Sequence, residues 1–197
     1  MKFKLLGTQV YISFLFVAII ALMLATDRTG LLLPSLFAVT MHEVAHLFAM
    51  WLVDLAPKRI RLIPASVQIV RKFGVSFKNE IFIALMGPVA NLLLFAVLYF
   101  NFLSFGNVMV QYYALINLVV GVFNLIPVVG LDGGTVLLEL LSRKMDYSRA
   151  TAILKIITLI VCVTCFVLAI FMFIKGKFNP SVLILAVYFF IMFLLKM

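Results

Sequence analysis

Six long apolar runs, separated by shorter polar connections, dominate the pattern along the chain. They cover approximately residues 6–25, 31–53, 81–101, 109–140, 152–174 and 180–196. A helix needs about 20 mostly apolar residues to cross the hydrocarbon layer of a bilayer. The pattern therefore predicts an all-α polytopic membrane protein with six transmembrane helices.

The fourth run differs from the others because it contains Pro127, Gly130, Gly133 and Gly134. Pro127 removes a backbone amide donor, and the glycines allow the backbone to come close to a metal or a substrate. Irregular backbone at membrane depth persists only where protein or a water-filled cavity covers it. We therefore expect the fourth helix to be broken, with a functional site beside the break.

The connection after the second run carries a weaker strand pattern. Residues 60–69 alternate in part, with Val67 and Ile69 on one side and Gln68 on the other. This pattern favours a short membrane-associated β-hairpin, and a basic interfacial loop is the alternative. An exposed edge strand at this place could receive an extended substrate by strand addition.

The composition supports the membrane assignment. Of the 197 residues, 66% are hydrophobic and 12% are charged, whereas soluble domains carry about 25% charged residues. A soluble domain of this length leaves a large share of its surface exposed, so it could not bury so much apolar surface. Cys162 and Cys165 lie inside the fifth apolar run and are interpreted as small apolar residues of a membrane helix.

The charge distribution predicts the orientation of the chain in the membrane. A formal net charge of +9 arises from 16 Lys and Arg residues against 7 Asp and Glu residues. Most of the basic residues lie near the two termini and in the second and fourth connections, so we expect a multi-pass protein of the cell membrane with both termini in the cytoplasm. The same residues predict contact with an anionic lipid surface. They form no aromatic-interleaved face, so no nucleic acid partner is expected.

The second run contains the motif His42-Glu43-Val44-Ala45-His46. Residues four apart share one face of a helix, so both imidazoles can reach one metal ion. Glu43 lies beside them, where its carboxylate can take a proton from an attacking water. Two histidines and a glutamate inside a bilayer are costly unless a polar cavity or a metal receives them, which disfavours a purely structural role.

A catalytic zinc ion uses three protein ligands, so the motif needs a third. Asp132, in the broken fourth run, is the candidate, and a carboxylate solvated at the cytoplasmic interface is the alternative. His46 lies about seven residues, or roughly 10 Å, before the cytoplasmic end of its span, and Asp132 lies about eight residues, or roughly 12 Å, before Leu140. These matching depths predict one site in which His42, His46 and Asp132 hold the metal.

With H-E-x-x-H in one span and N-x-x-P followed by L-D-G in a later one, the sequence resembles the site-2 protease family of intramembrane zinc metalloproteases. The matching positions are His42, Glu43, His46, Asn124, Pro127, Leu131, Asp132, Gly133 and the run Gly87-Pro88-Val89-Ala90-Asn91. The resemblance extends over nearly the whole chain. It implies one Zn²⁺ ion per chain and a membrane-embedded or membrane-associated protein as the substrate.

Among the branches of that family, the chain most resembles the sporulation type (stage IV protein FB), which has six spans and no PDZ domain. This resemblance implies a bacterial cell membrane and a sporulation sigma-factor precursor as substrate. An anti-sigma factor cut in regulated intramembrane proteolysis is the alternative, and regulatory membrane proteins are further candidate partners. The chain departs from the branch at Gly130, where a proline is common, and at Met197, where it stops and the branch carries a CBS domain. We therefore expect a single intramembrane metalloprotease domain over residues 1–197, without a PDZ or CBS domain.

Together these residues predict a zinc metalloendopeptidase that cuts near the cytoplasmic leaflet, with Glu43 as general base and later proton donor. Asn124, Pro127 and Gly133 are the predicted substrate-binding residues, although packing between helices is an alternative role for Asn124. A metal or proton transporter is a rival function, but it would need more ionisable residues along a path. A non-catalytic relative that binds membrane proteins is the other rival.

Overall fold

Seven helices and four short strands make up the part of the chain that the computed structural model describes, which is residues 2–5, 8–55, 57, 59–63, 66–70, 76–176 and 180–195. In chain order they are β1 (Lys2–Leu5), β2 (Thr8–Ile12), α1 (Phe14–Thr26), α2 (Leu32–Leu52), β3 (Arg59–Ile63), β4 (Ser66–Val70), α3 (Phe77–Phe105), α4 (Val108–Asn124), α5 (Asp132–Ser142), α6 (Tyr147–Ile174) and α7 (Pro180–Leu195). The chain divides into two compact units, Met1–Phe123 and Asn124–Met197.

Three of the described helices, α2, α3 and α6, are long and apolar enough to cross a membrane. Their outward faces carry large apolar side chains, such as Phe105 and Ile174, which are 78% and 74% exposed. Exposed apolar side chains along long helices are unfavourable in water and favourable in lipid. The prediction of a helical membrane protein is therefore confirmed.

The first unit contains a four-stranded sheet with the strand order β1-β2-β3-β4. β1 and β2 are antiparallel, β2 and β3 are parallel, and β3 and β4 are antiparallel. The predicted first span began near residue 6, but helix α1 begins at Phe14 and residues Thr8–Ile12 belong to β2. Thr8, Val10 and Ile12 are β-branched and alternate with Gln9 and Tyr11, a pattern that is compatible with a strand and lets β2 pair with β1 and β3.

The turn between α1 and α2 is held by the carboxylate of Asp27. Its Oδ1 accepts hydrogen bonds from the hydroxyl of Thr29 at 2.7 Å and the amide of Thr29 at 2.9 Å, and its Oδ2 accepts from the amide of Leu32 at 3.1 Å. The hydroxyl and amide of Thr29 stabilise the charged form and so lower the pKa of Asp27 below its ordinary value. The carboxylate thereby fixes the point at which α2 begins.

Helices α2 and α3 pack closely within the first unit because small residues line their contact. Ala38 and Ala49 of α2 are fully buried, and Ala84 and Gly87 of α3 are also buried. Small side chains let two membrane helices approach each other closely, which strengthens van der Waals contact where water supplies no driving force. This close approach carries the polar groups of α3 to the histidines of α2.

In the second unit, residues 125–131 form a turn that leads into α5, so the predicted break in the fourth run is observed. Gly130 has a φ of 98°, in the left-handed region that favours glycine. A Cβ atom on Gly133 would overlap the carbonyl of Leu125, and one on Gly134 would overlap the carbonyl of Val128. The glycines therefore let the first turn of α5 lie directly against the backbone of the preceding turn.

Candidate metal centre

Helix α2 presents His42 and His46 on one face, one helical turn apart. Both side chains are buried, with 6% and 8% of their surface exposed. The two rings are nearly perpendicular, at 86°, and their Nε2 atoms lie 3.1 Å apart. Both histidines therefore direct the same ring nitrogen towards one point.

The outer nitrogen of each ring is engaged by a group of α3. Nδ1 of His46 lies 2.7 Å from the carbonyl oxygen of Ile83, and Nδ1 of His42 lies 2.7 Å from Oδ1 of Asn91. A carbonyl oxygen can only accept, so Nδ1 of His46 donates and its Nε2 carries a lone pair when the ring is neutral.

The same assignment holds for His42 because the Asn91 amide can take only one orientation. Its Nδ2 donates to the carbonyl of Ala38 at 3.0 Å and to Oδ1 of Asn117 at 2.8 Å, and Nδ2 of Asn117 donates to the carbonyl of Tyr113 at 2.8 Å. Asn91 and Asn117 are fully buried. Because the amide nitrogens face acceptors, Oδ1 of Asn91 faces His42 and accepts from its Nδ1.

Two Nε2 lone pairs 3.1 Å apart repel each other unless a cation lies between them. Two nitrogen ligands of a tetrahedral zinc ion, each at about 2.0–2.1 Å, are about 3.3 Å apart. The imidazole pair therefore fits a shared metal ion in both tautomer and spacing. Hydrogen bonds from the outer nitrogen are the usual means by which proteins orient such ligands.

Asp132 is the first residue of α5, and its Oδ2 atom is buried. Its carboxylate is the third metal ligand that the sequence predicts beside His42 and His46. Two imidazole nitrogens and one carboxylate oxygen are a ligand set found in catalytic zinc sites. The assignment of His42, His46 and Asp132 as metal ligands stays a prediction, which the donor chemistry of the three side chains supports.

The other predicted site residues are placed less specifically. Glu43 is half-buried on α2 next to His42, and Asn124 is half-buried at the end of α4. Pro127 is exposed, and Gly133 is buried against the carbonyl of Leu125. The catalytic role of Glu43 and the substrate-binding roles of the other three residues stay predictions.

Gly87 of α3 completes the pocket around the histidines. A Cβ atom at this position would lie 2.5 Å from Nε2 of His46 and 2.7 Å from Cε1 of His42. Real Cβ atoms do not approach other atoms so closely, so only glycine leaves room for both rings at this point. The close approach of α3 and the placement of the imidazoles therefore depend on one another.

Sequence reasoning missed the amide pair of Asn91 and Asn117 and the carbonyl of Ile83 as parts of the site. Asn91 was visible only as part of a matching run, and Asn117 stands as a polar residue within the apolar sequence of α4. A buried amide in a membrane helix is a signal for interhelical hydrogen bonding. Which partner it meets depends on helix packing, which no local pattern encodes.

We expect Asn91→Leu to lower the affinity for a metal ion by about 10–100-fold, because His42 loses the acceptor that fixes its ring. Competition with a chromogenic chelator measures this affinity. Asn91→Asp keeps an acceptor for His42 and should retain more affinity than Asn91→Leu. Asn101→Leu, at an exposed position of the same helix, is the matched control. Equal affinities for Asn91→Leu and Asn101→Leu would contradict a role for Asn91.

Comparison with known proteins shows which protein family the chain is similar to. Residues 104–168 match Peptidase family M50. This stretch contains the later of the two motifs that carry the resemblance to site-2 proteases, from Asn124 to Gly133.

Two further matches come from Methanocaldococcus jannaschii. One is a zinc metalloprotease that is 27% identical over 164 residues, and the alignment covers 77% of this chain and 48% of that protein. The chain thus spans about half the length of this curated relative. The other is a site-2 protease of solved structure, with a TM-score of 0.68 and 22% identity over 98% of this chain and 93% of that one. The chain has the site-2 protease fold, and the resemblance to site-2 proteases inferred from its motifs is confirmed, whereas the likeness to the sporulation-type branch stays a prediction.

Proposed function

We propose that this chain is an intramembrane zinc metalloendopeptidase that cuts a membrane-embedded or membrane-associated protein near the cytoplasmic leaflet. The observation that carries the proposal is the pair of Nε2 atoms of His42 and His46, both with lone pairs directed at one point. The similarity to Peptidase family M50 and to a protein named as a zinc metalloprotease supports the same conclusion.

His42, His46 and Asp132 would hold the ion, because two imidazoles and one carboxylate are a ligand set that suits catalytic zinc. When bound, zinc supplies a Lewis acid that makes water a nucleophile at neutral pH. Glu43 follows His42 directly on α2, and its carboxylate takes the proton of the attacking water and later gives it to the leaving amine. Asn91 and Ile83 keep the histidines in the tautomer that binds metal.

Asn124, Pro127 and Gly133 are proposed to receive the substrate. Asn124 ends α4, where the helical ladder stops, so its amide is suited to bond the backbone of an extended substrate or the oxyanion. β4 lies at an edge of the sheet, where strand addition could align such a substrate. Candidate substrates are a sporulation sigma-factor precursor and an anti-sigma factor, in a bacterial membrane.

We further propose six spans with both termini in the cytoplasm and a sheet that meets anionic lipid. The strand register supports the lipid contact, because cross-strand partners share one face of a sheet. Tyr11 pairs with Lys2 and Arg61, and Gln9 pairs with Lys4 and Arg59. Four basic positions therefore share one face, as an anionic lipid surface would require.

Metal analysis of the purified chain with and without the substitution Asp132→Ala tests the proposed function. We expect about one zinc ion per chain in the wild type and little zinc in the variant, because two imidazoles alone bind weakly. Asp146→Ala removes an exposed carboxylate instead and should retain the metal, which makes it the matched control.

A peptidase assay on a reconstituted membrane substrate completes this test. Zinc without cleavage of any membrane segment would favour a binding protein or a transporter. A wild-type chain that takes up no zinc, or an Asp132→Ala variant that binds as much as the wild type, would refute the proposed metal centre.

A further inference from the structure

Thr158, in the middle of α6, makes two hydrogen bonds through one buried hydroxyl. Its side chain is fully buried. The hydroxyl donates to the carbonyl of Leu154 at 2.8 Å, and its oxygen accepts from the amide of Val129 at 3.0 Å. The second bond joins α6 to the turn that precedes Asp132.

This turn has an irregular backbone, so its geometry is not determined by a helical ladder. Pro127 has no amide hydrogen to donate. The amide of Val128 bonds the carbonyl of Ile126 at 2.8 Å, and the amide of Leu131 bonds the carbonyl of Val128 at 3.1 Å. Val128 and Val129 are buried, with 0% and 9% exposed, so an amide there needs a partner within the protein.

The turn is joined rigidly to the metal ligand. Leu131 precedes α5 and accepts at its carbonyl from the amide of Thr135 at 3.1 Å. Asp132 is the first residue of α5 and follows Val129 by three positions. A shift at Val129 moves the start of α5, and with it the carboxylate of Asp132.

We propose that Thr158 is a positioning residue of the metal centre, whose hydroxyl sets the place of Asp132 by holding the amide of Val129. This inference rests on the proposed function, since it gives Asp132 the role of a metal ligand. Nothing in the sequence motifs includes Thr158, which lies 26 positions after Asp132 in another helix.

The bond to Leu154 alone would not support this role. Thr151 and Thr164 of the same helix also donate to the carbonyl four residues earlier, each at 2.8 Å, and both bonds are exposed. Such bonds are common for threonine in helices. Thr158 differs from them because its hydroxyl is buried and receives an amide from the turn.

Three variants of the full chain separate the hydroxyl from the rest of the side chain. Thr158→Val keeps the shape and removes the hydroxyl, Thr158→Ser keeps the hydroxyl, and Thr164→Val makes the same change at an exposed site of α6. We expect Thr158→Val to bind zinc about 10-fold or more weakly in chelator competition. Thr158→Ser and Thr164→Val should stay within about twofold of the wild type, since neither alters the bond to Val129.

A double-mutant comparison then tests whether Thr158 acts through Asp132. In the Asp132→Ala background, Thr158→Val should lower the remaining zinc affinity no further, since residues that act through one another are not additive. A general loss of structure would instead lower the affinity in both backgrounds. An equal loss in both backgrounds, or an equal loss for Thr158→Ser and Thr158→Val, would overturn the proposal.

Amide hydrogen exchange of the peptide that contains Val129 gives a readout that needs no metal. Thr158→Val should lose protection there, and Thr158→Ser should keep it. If the wild type binds no zinc, the proposed function fails, whereas the exchange data still decide whether Thr158 holds the turn. Unchanged protection in Thr158→Val would refute the inference whatever the metal content.

Discussion

Replacing Glu43 with glutamine should lower the rate of substrate cleavage by about 10²–10⁴-fold and leave the zinc content unchanged. Glutamine has nearly the same shape as glutamate but cannot take a proton from water at neutral pH. The Glu43 side chain is half-buried and follows His42 directly in the sequence. The Nδ1 atoms of the two imidazoles contact Asn91 and Ile83 instead. The substitution should therefore remove the general base without disturbing the metal ligands.

Glu80→Gln is the matched control for this experiment, because it makes the same change in the first turn of α3, outside the H-E-x-x-H motif. Cleavage is measured on a membrane protein substrate reconstituted with purified enzyme, and zinc is measured on the same samples. Full activity of Glu43→Gln would exclude Glu43 as the base. A loss of zinc together with activity would give Glu43 a role in the metal centre instead.

Gly87→Ala should reduce zinc affinity and cleavage together, each by about 100-fold or more, because a displacement of about 1 Å at a reacting centre can cost this much. The new methyl group would lie 2.5 Å from Nε2 of His46 and 2.6 Å from its Cε1. Either both rings leave their positions or α3 moves away from α2. In both cases the hydrogen bonds that the two rings donate to Asn91 and Ile83 are stretched.

Gly121→Ala provides a graded comparison. It adds the same methyl group to α4, where the nearest atoms, on Asn91, Leu92 and Pro88, lie 3.2 Å away. A small adjustment accommodates this contact, so zinc affinity should fall far less than in Gly87→Ala. Zinc affinity by chelator competition and the melting temperature distinguish loss of the site from loss of the fold. If Gly87→Ala binds zinc as tightly as Gly121→Ala, the packing of α3 against the imidazoles is not what positions them.

The three candidate metal ligands could be proposed from the sequence because each carries a local signal. His42 and His46 are one helical turn apart, and Asp132 is an acidic residue beside a proline and glycines within an apolar run. In a membrane, such residues are costly enough to stand out against their surroundings. The spacing and the cost together were sufficient to name the three side chains.

The residues that hold these candidate ligands in place by hydrogen bonds could not be predicted in the same way. Asn117 reaches Asn91 only because α4 packs against α3 at Gly121, and Thr158 reaches Val129 only because α6 lies beside the turn. Such contacts arise from the rotation and depth of whole helices, which many weak packing terms determine together.

The predicted start of the first helix was wrong for a different reason. Hydropathy treats the β-branched residues of β2 as apolar, so it cannot separate a strand from the beginning of a span. Pairing of β2 with both β1 and β3 decided the outcome. The partner of a strand lies elsewhere in the chain, beyond the reach of a sliding window.

The fixed tautomers of His42 and His46 make the stability of the folded chain depend on the free concentration of zinc. Their Nδ1 protons are committed to Asn91 and Ile83, so two electron-rich nitrogens face each other at 3.1 Å in the native chain alone. An ion that binds only the folded chain draws the folding equilibrium towards it by mass action, by about 2.7 kcal/mol when its free concentration is 100 times its dissociation constant. A shortage of zinc would then shorten the lifetime of the protein as well as abolish its proposed peptidase activity.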